Sequence, residues 1–173
     1  MDPHVEQLRQ LFLTHPAWRN AAAHIKEGSE SRVHFSHLSG DFRLVRKDGA
    51  SHLLEGPAKK PDFAFLFTPK AIERLAAVEG EDPADFAVEL FDSILTEEPD
   101  EQVGLQVISG FTRLLSRGYV RLLFKSGPRV LAYGKARGVS GMTGLRKLIK
   151  QSRDTDPRWA GLQTPSQGED LAA

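Results

Sequence analysis

A single α+β domain, with an antiparallel sheet of about five strands covered by helices and more helices towards the C-terminus, is the fold class this sequence predicts. Three observations predict it. Apolar residues keep helical spacing up to about Lys26 and then alternate from Arg32 onward, Asp48-Gly49 separates two alternating runs, and helical spacing returns at Thr68, interrupted by one further alternating run at Val103, Leu105 and Val107. A length of 173 residues with 40% hydrophobic content suits one core. Residues 1–153 are therefore expected to form one domain. Beyond Ser152 the density of Pro, Gly, Asp, Ser and Gln predicts a flexible tail over 154–173, with Trp159 and Leu162 its apolar anchors.

The elements follow in order. Val5, Leu8, Leu11 and Phe12 share a helix face; Thr14 and Pro16 end that helix and start another over about Ala17 to Lys26, with Gly28 beyond its end. Val33, Phe35 and His37 alternate against Arg32, His34 and Ser36, predicting a strand over Arg32 to Leu38 and a turn at Ser39-Gly40. Asp41 to Lys47 and Ala50 to Glu55 flank Asp48-Gly49, whose residue types tolerate positive φ; the implied hairpin register sets Val45 against His52 and Leu44 against Leu53. Asp62 to Phe67 is a strand with Phe63, Phe65 and Phe67 on one side. Thr68-Pro69 and Asp82-Pro83 each pair an N-cap residue with proline at the first helical position, starting helices that carry Ile72, Leu75 and Ala76, and Phe86, Leu90, Phe91 and Ile94.

Val103 to Lys125 organises the rest. The strand Val103, Leu105, Val107 passes through Ser109-Gly110 into a helix from Phe111, with Ser109 its expected N-cap and Phe111, Leu114, Leu115, Tyr119 and Leu122 inward. Arg113, Arg117, Arg121 and Lys125 recur every four residues as a basic stripe, and Val120 and Phe124 fall on the far side; this near all-round apolarity favours a helix wedged between the sheet and other helices, with a membrane or partner surface as the alternative. Helical spacing argues against a hairpin from Tyr119 to Lys135. Gly127-Pro128 starts a short helix stopped by Gly138, and Ser140 caps a last one with Met142, Leu145, Leu148 and Ile149 inward.

Little in the chain predicts catalysis. Lys plus Arg and Asp plus Glu balance at 23 each, so no net field recruits nucleic acid, although acids dominate 73–101 and bases 113–158. Zero cysteines exclude disulfides and thiol chemistry. With no leader and no apolar run of about 18 residues, a soluble cytoplasmic chain is expected. No histidine pair has the i, i+4 spacing of a helical zinc site, and no nucleophile elbow, Walker sequence or dinucleotide fingerprint occurs, so no metal, cofactor or enzyme activity is expected. Glu97-Glu98 and Asp100-Glu101 read as a solvated connector, and His52 as a partly buried structural imidazole.

The apolar residues are more informative. Phe63, Phe65 and Phe67 on the strand can meet Phe86, Leu90, Phe91 and Ile94 on the helix, with Leu105 and Val107 beside them. Two accounts fit: a close-packed core, or a cavity that takes a lipid, fatty acyl or isoprenoid chain. The order of strands through the Asp48-Gly49 hairpin, the segment PDFAFLFTPKAIERLAA, the helix at Asp82 to Thr96 and the strand VGLQVISG resembles the sterol carrier protein type two fold over about Arg32 to Gly110. The resemblance implies a five-stranded sheet covered by helices around an apolar tunnel for lipids or acyl chains, in proteins that carry lipids or serve as accessory domains. The sequence departs from it after Gly110, where helices and a basic surface replace a short ending. Non-catalytic binding of an apolar ligand is thus one expectation, and a protein-interaction module with a filled core the other.

Overall fold

The computed structural model describes residues 1–141, 143, 144, 146 and 147. Helices α1 (Pro3–Thr14) and α2 (Pro16–Ala22) precede strands β1 (Glu30–Phe35), β2 (Leu38–Lys47), β3 (Ala50–Glu55) and β4 (Phe63–Phe67). Helices α3 (Pro69–Ala76) and α4 (Pro83–Leu95) lead to β5 (Val103–Val107), and α5 (Phe111–Ser116), α6 (Tyr119–Lys125) and α7 (Pro128–Ala136) follow. The α+β class and the five strands agree with the sequence. The sheet order is β3-β2-β1-β4-β5, and the pair β1–β4 runs parallel, so the sheet is mixed rather than antiparallel. Tight turns make β1–β2 and β2–β3 antiparallel, whereas β4 comes back to the free side of β1 after the chain has crossed from the far edge. The Asp62 N–H donates to the Glu30 carbonyl at 2.7 Å, which starts both strands at the same end of the sheet.

The Asp48-Gly49 hairpin forms with φ of 52° and 73°, and its register sets Leu44 against Leu53 and Val45 against His52, as predicted. The N-caps of α3 and α4 also form: Thr68 Oγ1 accepts from the Ala71 N–H at 3.3 Å and Asp82 Oδ1 from the Ala84 N–H at 2.9 Å. Several boundaries differ. α2 stops at Ala22, and β1 stops at Phe35, so the turn is Ser36-His37 while Ser39-Gly40 lies inside β2.

The largest difference is in the organising segment, where two helices replace the single one expected from Phe111 to Lys125. Gly118 breaks it at φ 89°, because a Cβ there would stand 2.0 Å from the His24 carbonyl oxygen. The neighbouring Arg117 carbonyl accepts the Lys26 N–H at 2.9 Å, tying this break to the loop after α2. Ser109 is not the cap: Gly110 holds that position, and the Ser109 hydroxyl donates to Asp62 instead. Gly141, Thr143, Gly144, Arg146 and Lys147 are helical; Met142, Leu145, Leu148, Ile149 and the expected tail over 154–173 lie outside the described residues.

One sheet face is covered. Val33, Phe35, Leu44, Leu53, Phe67 and Val103 join Leu8, Leu11 and Phe12 of α1, Ile72 and Leu75 of α3 and Phe86 of α4 in one core. On the other face Arg32, His34, Arg43, Val45, His52 and Leu66 are half-buried and Leu54 is exposed. Among the described residues no helix is long and apolar enough to cross a membrane.

Candidate functional site

Residues 63, 65 and 67 point to the helix-covered face because side chains alternate along β4. Register then places Leu105 beside Phe65, Val103 beside Phe67 and Val107 beside Phe63. The three phenylalanine rings follow one another at 6.0 and 5.8 Å between centroids. The row continues at both ends. Phe63 meets Tyr119 of α6 edge-on at 4.8 Å, and Phe67 meets Phe12 at 6.1 Å, which touches Trp18 at 4.9 Å, which in turn touches Phe86 at 5.5 Å. A continuous aromatic volume therefore exists. Its link from β4 to Phe86 of α4 runs through Phe12 of α1 and Trp18 of α2, which the sequence left out of the site.

Burial divides this volume. Phe67, Phe86, Val103 and Val107 are buried, while Phe63, Phe65 and Leu105 on the sheet and Leu90, Phe91 and Ile94 on α4 are only half-buried. Phe65, Leu90 and Ile94 are partly buried and pack against the same core cluster. Phe91 stacks on Tyr133 of α7 at 6.4 Å. Two surface concavities lie elsewhere. One, of about 340 Å³, is lined by Gln7, Leu11, His15, Pro16 and Ala76 among others, and one of about 290 Å³ by Arg74, Asp92, Leu95, Thr96 and Arg137.

An ion pair between buried Asp62 and half-buried Arg113 terminates the aromatic row at the Tyr119 end. Asp62 is fully buried, and its Oδ1 accepts from Arg113 Nε and Ser109 Oγ, each at 2.7 Å, while Tyr119 Oη donates to Oδ2 at 3.3 Å. Burial first, and the Asp62 charge second, push the Tyr119 phenol far above its ordinary range. It is a neutral donor. On the opposite sheet face, burial and then the Arg32 charge hold the His34 imidazole below its ordinary value.

The expected basic surface is only partly formed. Val120 is 3% exposed, because the break at Gly118 turns α6 inward on that residue, so it is no part of a surface, and Arg113, 37% exposed, is paired with Asp62. Arg117 is half-buried. Arg121, Phe124 and Lys125 are exposed as predicted, with Leu115, 50% exposed, and Leu131 near them in sequence. The acidic segment pairs with bases on several sides: Arg74 with Glu89 and Glu101, Lys70 with Asp100, Arg129 with Asp85, and Arg137 with Asp92. Among the described residues Arg121 and Lys125 form no such pair.

Sequence spacing also missed a second cluster. Asp2, the N-cap of α1, stands with His4 and with His37 of the β1–β2 turn, their ligating atoms all within 4.8 Å of one another. Asp2 and His4 are near neighbours but His37 lies 35 positions beyond Asp2, so no short motif marks the three. Partial desolvation of the Asp2 carboxyl is outweighed by hydrogen bonds from His37 and from the Val5 and His4 N–H groups, which hold its pKa below the ordinary range.

No family model matches this chain, and no curated protein matches it. Among solved structures, one titled "UbiJ-SCP2 Ubiquinone synthesis protein" is similar over 70% of this chain and 90% of its own, at 16% identity and a TM-score of 0.40.

Proposed function

We propose that this protein binds an apolar ligand, a lipid, fatty acyl or isoprenoid chain, in the cleft between the helix-facing side of β4–β5 and α4, without catalysing a reaction on it. One observation carries the reading: six large apolar side chains on these elements, Phe63, Phe65, Leu105, Leu90, Phe91 and Ile94, are only half-buried. Exposed apolar area of that kind is recovered when a ligand covers it, at roughly 25 cal/mol per Å². The resemblance of the segment from Arg32 to Gly110 to the sterol carrier fold supplies the ligand class. The polar end formed by Tyr119, Asp62 and Arg113 bounds the apolar wall and leaves the chain's far end to carry any charged group.

The test is a titration with a fluorescent fatty-acid probe. The parent protein is expected to bind it saturably, and Phe65→Trp to weaken binding by filling the cleft while leaving stability nearly unchanged. In a closed core the larger ring would overpack at roughly 1–3 kcal/mol, and the parent would bind no probe. Absence of saturable binding removes the ligand and leaves a protein-interaction module, to which the exposed Leu115, Phe124 and Leu131 would belong.

A further inference from the structure

We infer that Asp2, His4 and His37 form a binding site for a divalent ion of the zinc class, with Glu73 as the carboxylate that orients His4. The three ligands come from two elements far apart in sequence, the start of α1 and the turn between β1 and β2, and they converge on one point. His37 Nε2 lies 3.3 Å from Asp2 Oδ1, and His4 Nδ1 lies 3.7 Å from the same oxygen. Zinc bonds of about 2.0–2.2 Å to nitrogen and oxygen put tetrahedral neighbours about 3.3–3.6 Å apart. The two separations from Asp2 Oδ1 are therefore within a few tenths of an ångström of that spacing, and the two ring nitrogens, within 4.8 Å of each other, would close to it on binding.

Glu73 of α3 is the independent second observation. Its Oε1 lies 3.5 Å from His4 Nε2, the ring nitrogen turned away from Asp2. Closing to hydrogen-bond distance on binding, that carboxylate would hold the proton on Nε2 and leave the Nδ1 lone pair facing the shared point, the arrangement by which a second carboxylate fixes the tautomer of a metal-bound histidine. Neighbouring contacts position these side chains. The Asp2 carboxylate accepts the His4 N–H at 2.9 Å and the Val5 N–H at 3.2 Å, and the His37 ring stands edge-on to His4 at 5.2 Å and to Phe35 at 6.0 Å. For His37 to ligate through Nε2, its ring proton moves to Nδ1, so binding replaces the His37–Asp2 hydrogen bond with two bonds to one ion. Two imidazoles and a carboxylate select a borderline ion over Mg²⁺, which prefers oxygen ligands throughout. Three protein ligands leave the fourth position to water. The ion would pin the start of α1 to the sheet, independently of the apolar cleft.

The experiment is calorimetric titration of the full-length, tag-free protein with ZnCl₂ and, separately, MgCl₂, in a buffer that does not chelate zinc. We expect one zinc per chain and no magnesium binding. His4→Gln and His37→Gln should each weaken zinc binding at least tenfold, and Glu73→Gln by roughly 10–100-fold, with circular dichroism spectra like the parent's. In a parallel NMR titration the ring resonances of His4 and His37 should move together. Absence of one-to-one binding, or zinc affinity unchanged in either histidine variant, would overturn the site.

Discussion

Asp62 shows what single residues do here and why sequence did not reveal it. A carboxylate with no exposure is stable only when fully paired, and its partners Ser109, Arg113 and Tyr119 lie 47, 51 and 57 positions away. Nothing local in the chain announces them, and the regular spacing of Arg113 with Arg117 and Arg121 suggested a surface stripe instead. An uncompensated buried charge costs about 3–5 kcal/mol. Ser109 and Tyr119 would retain part of the compensation, so Arg113→Met is expected to lose about 2 kcal/mol in urea unfolding, whereas Arg121→Met should change little. His34 gives a pH effect on the opposite face. Its folded pKa is below the ordinary 6.5, so the unfolded chain takes up the proton first. Its contribution is present above about pH 6.5 and is lost as pH falls through the lower folded value, with Arg32 opposing protonation and Asp41 favouring it. The urea midpoint should drop between pH 7.5 and 5.5, and His34→Gln should make that drop smaller.

Elements with local chemical signals were legible. The Asp48-Gly49 hairpin and its register, and the helix starts at Thr68-Pro69 and Asp82-Pro83, are dictated by residues in immediate succession. The split between α5 and α6 was not, because helical spacing continues through it; what breaks the helix is the close approach of the His24 carbonyl to Gly118, a tertiary contact. That contact yields a prediction. A left-handed conformation costs a non-glycine residue about 1–2 kcal/mol, and at Gly118 a Cβ would also overlap backbone. Gly118→Ala is expected to lower the melting temperature by about 5 °C or more. Gly49→Ala, at φ 73° with nothing within 4 Å of its Cβ, should lower it less. Equal falls would show that the contact with His24 contributes nothing. For the aromatic row, sequence alternation placed the β4 phenylalanines on one face, but it could not supply Phe12 and Trp18, which reach the row from α1 and α2.

Over the whole molecule, balanced charge conceals an uneven surface. The acids of 73–101 pair with Lys70, Arg74, Arg129 and Arg137, and Arg121 and Lys125 stand beside exposed Phe124. A protein that collects an apolar ligand from a membrane would use such a surface, at about 1 kcal/mol per basic residue near anionic headgroups. Co-sedimentation with anionic but not zwitterionic vesicles is expected, weaker at raised salt as the Debye length shrinks and reduced by Arg121→Glu with Lys125→Glu. Equal behaviour with both vesicle types would refute electrostatic docking and favour a protein partner at this surface. The apolar cleft itself is tested most directly by native mass spectrometry of the protein purified from cells without detergent, followed by lipid extraction. The account predicts a one-to-one adduct with the mass of a lipid, fatty acid or isoprenoid, diminished in Phe65→Trp and in Ile94→Asp variants that remain folded. The bare chain mass alone, from a parent protein that also takes up no added fatty acid, would contradict it.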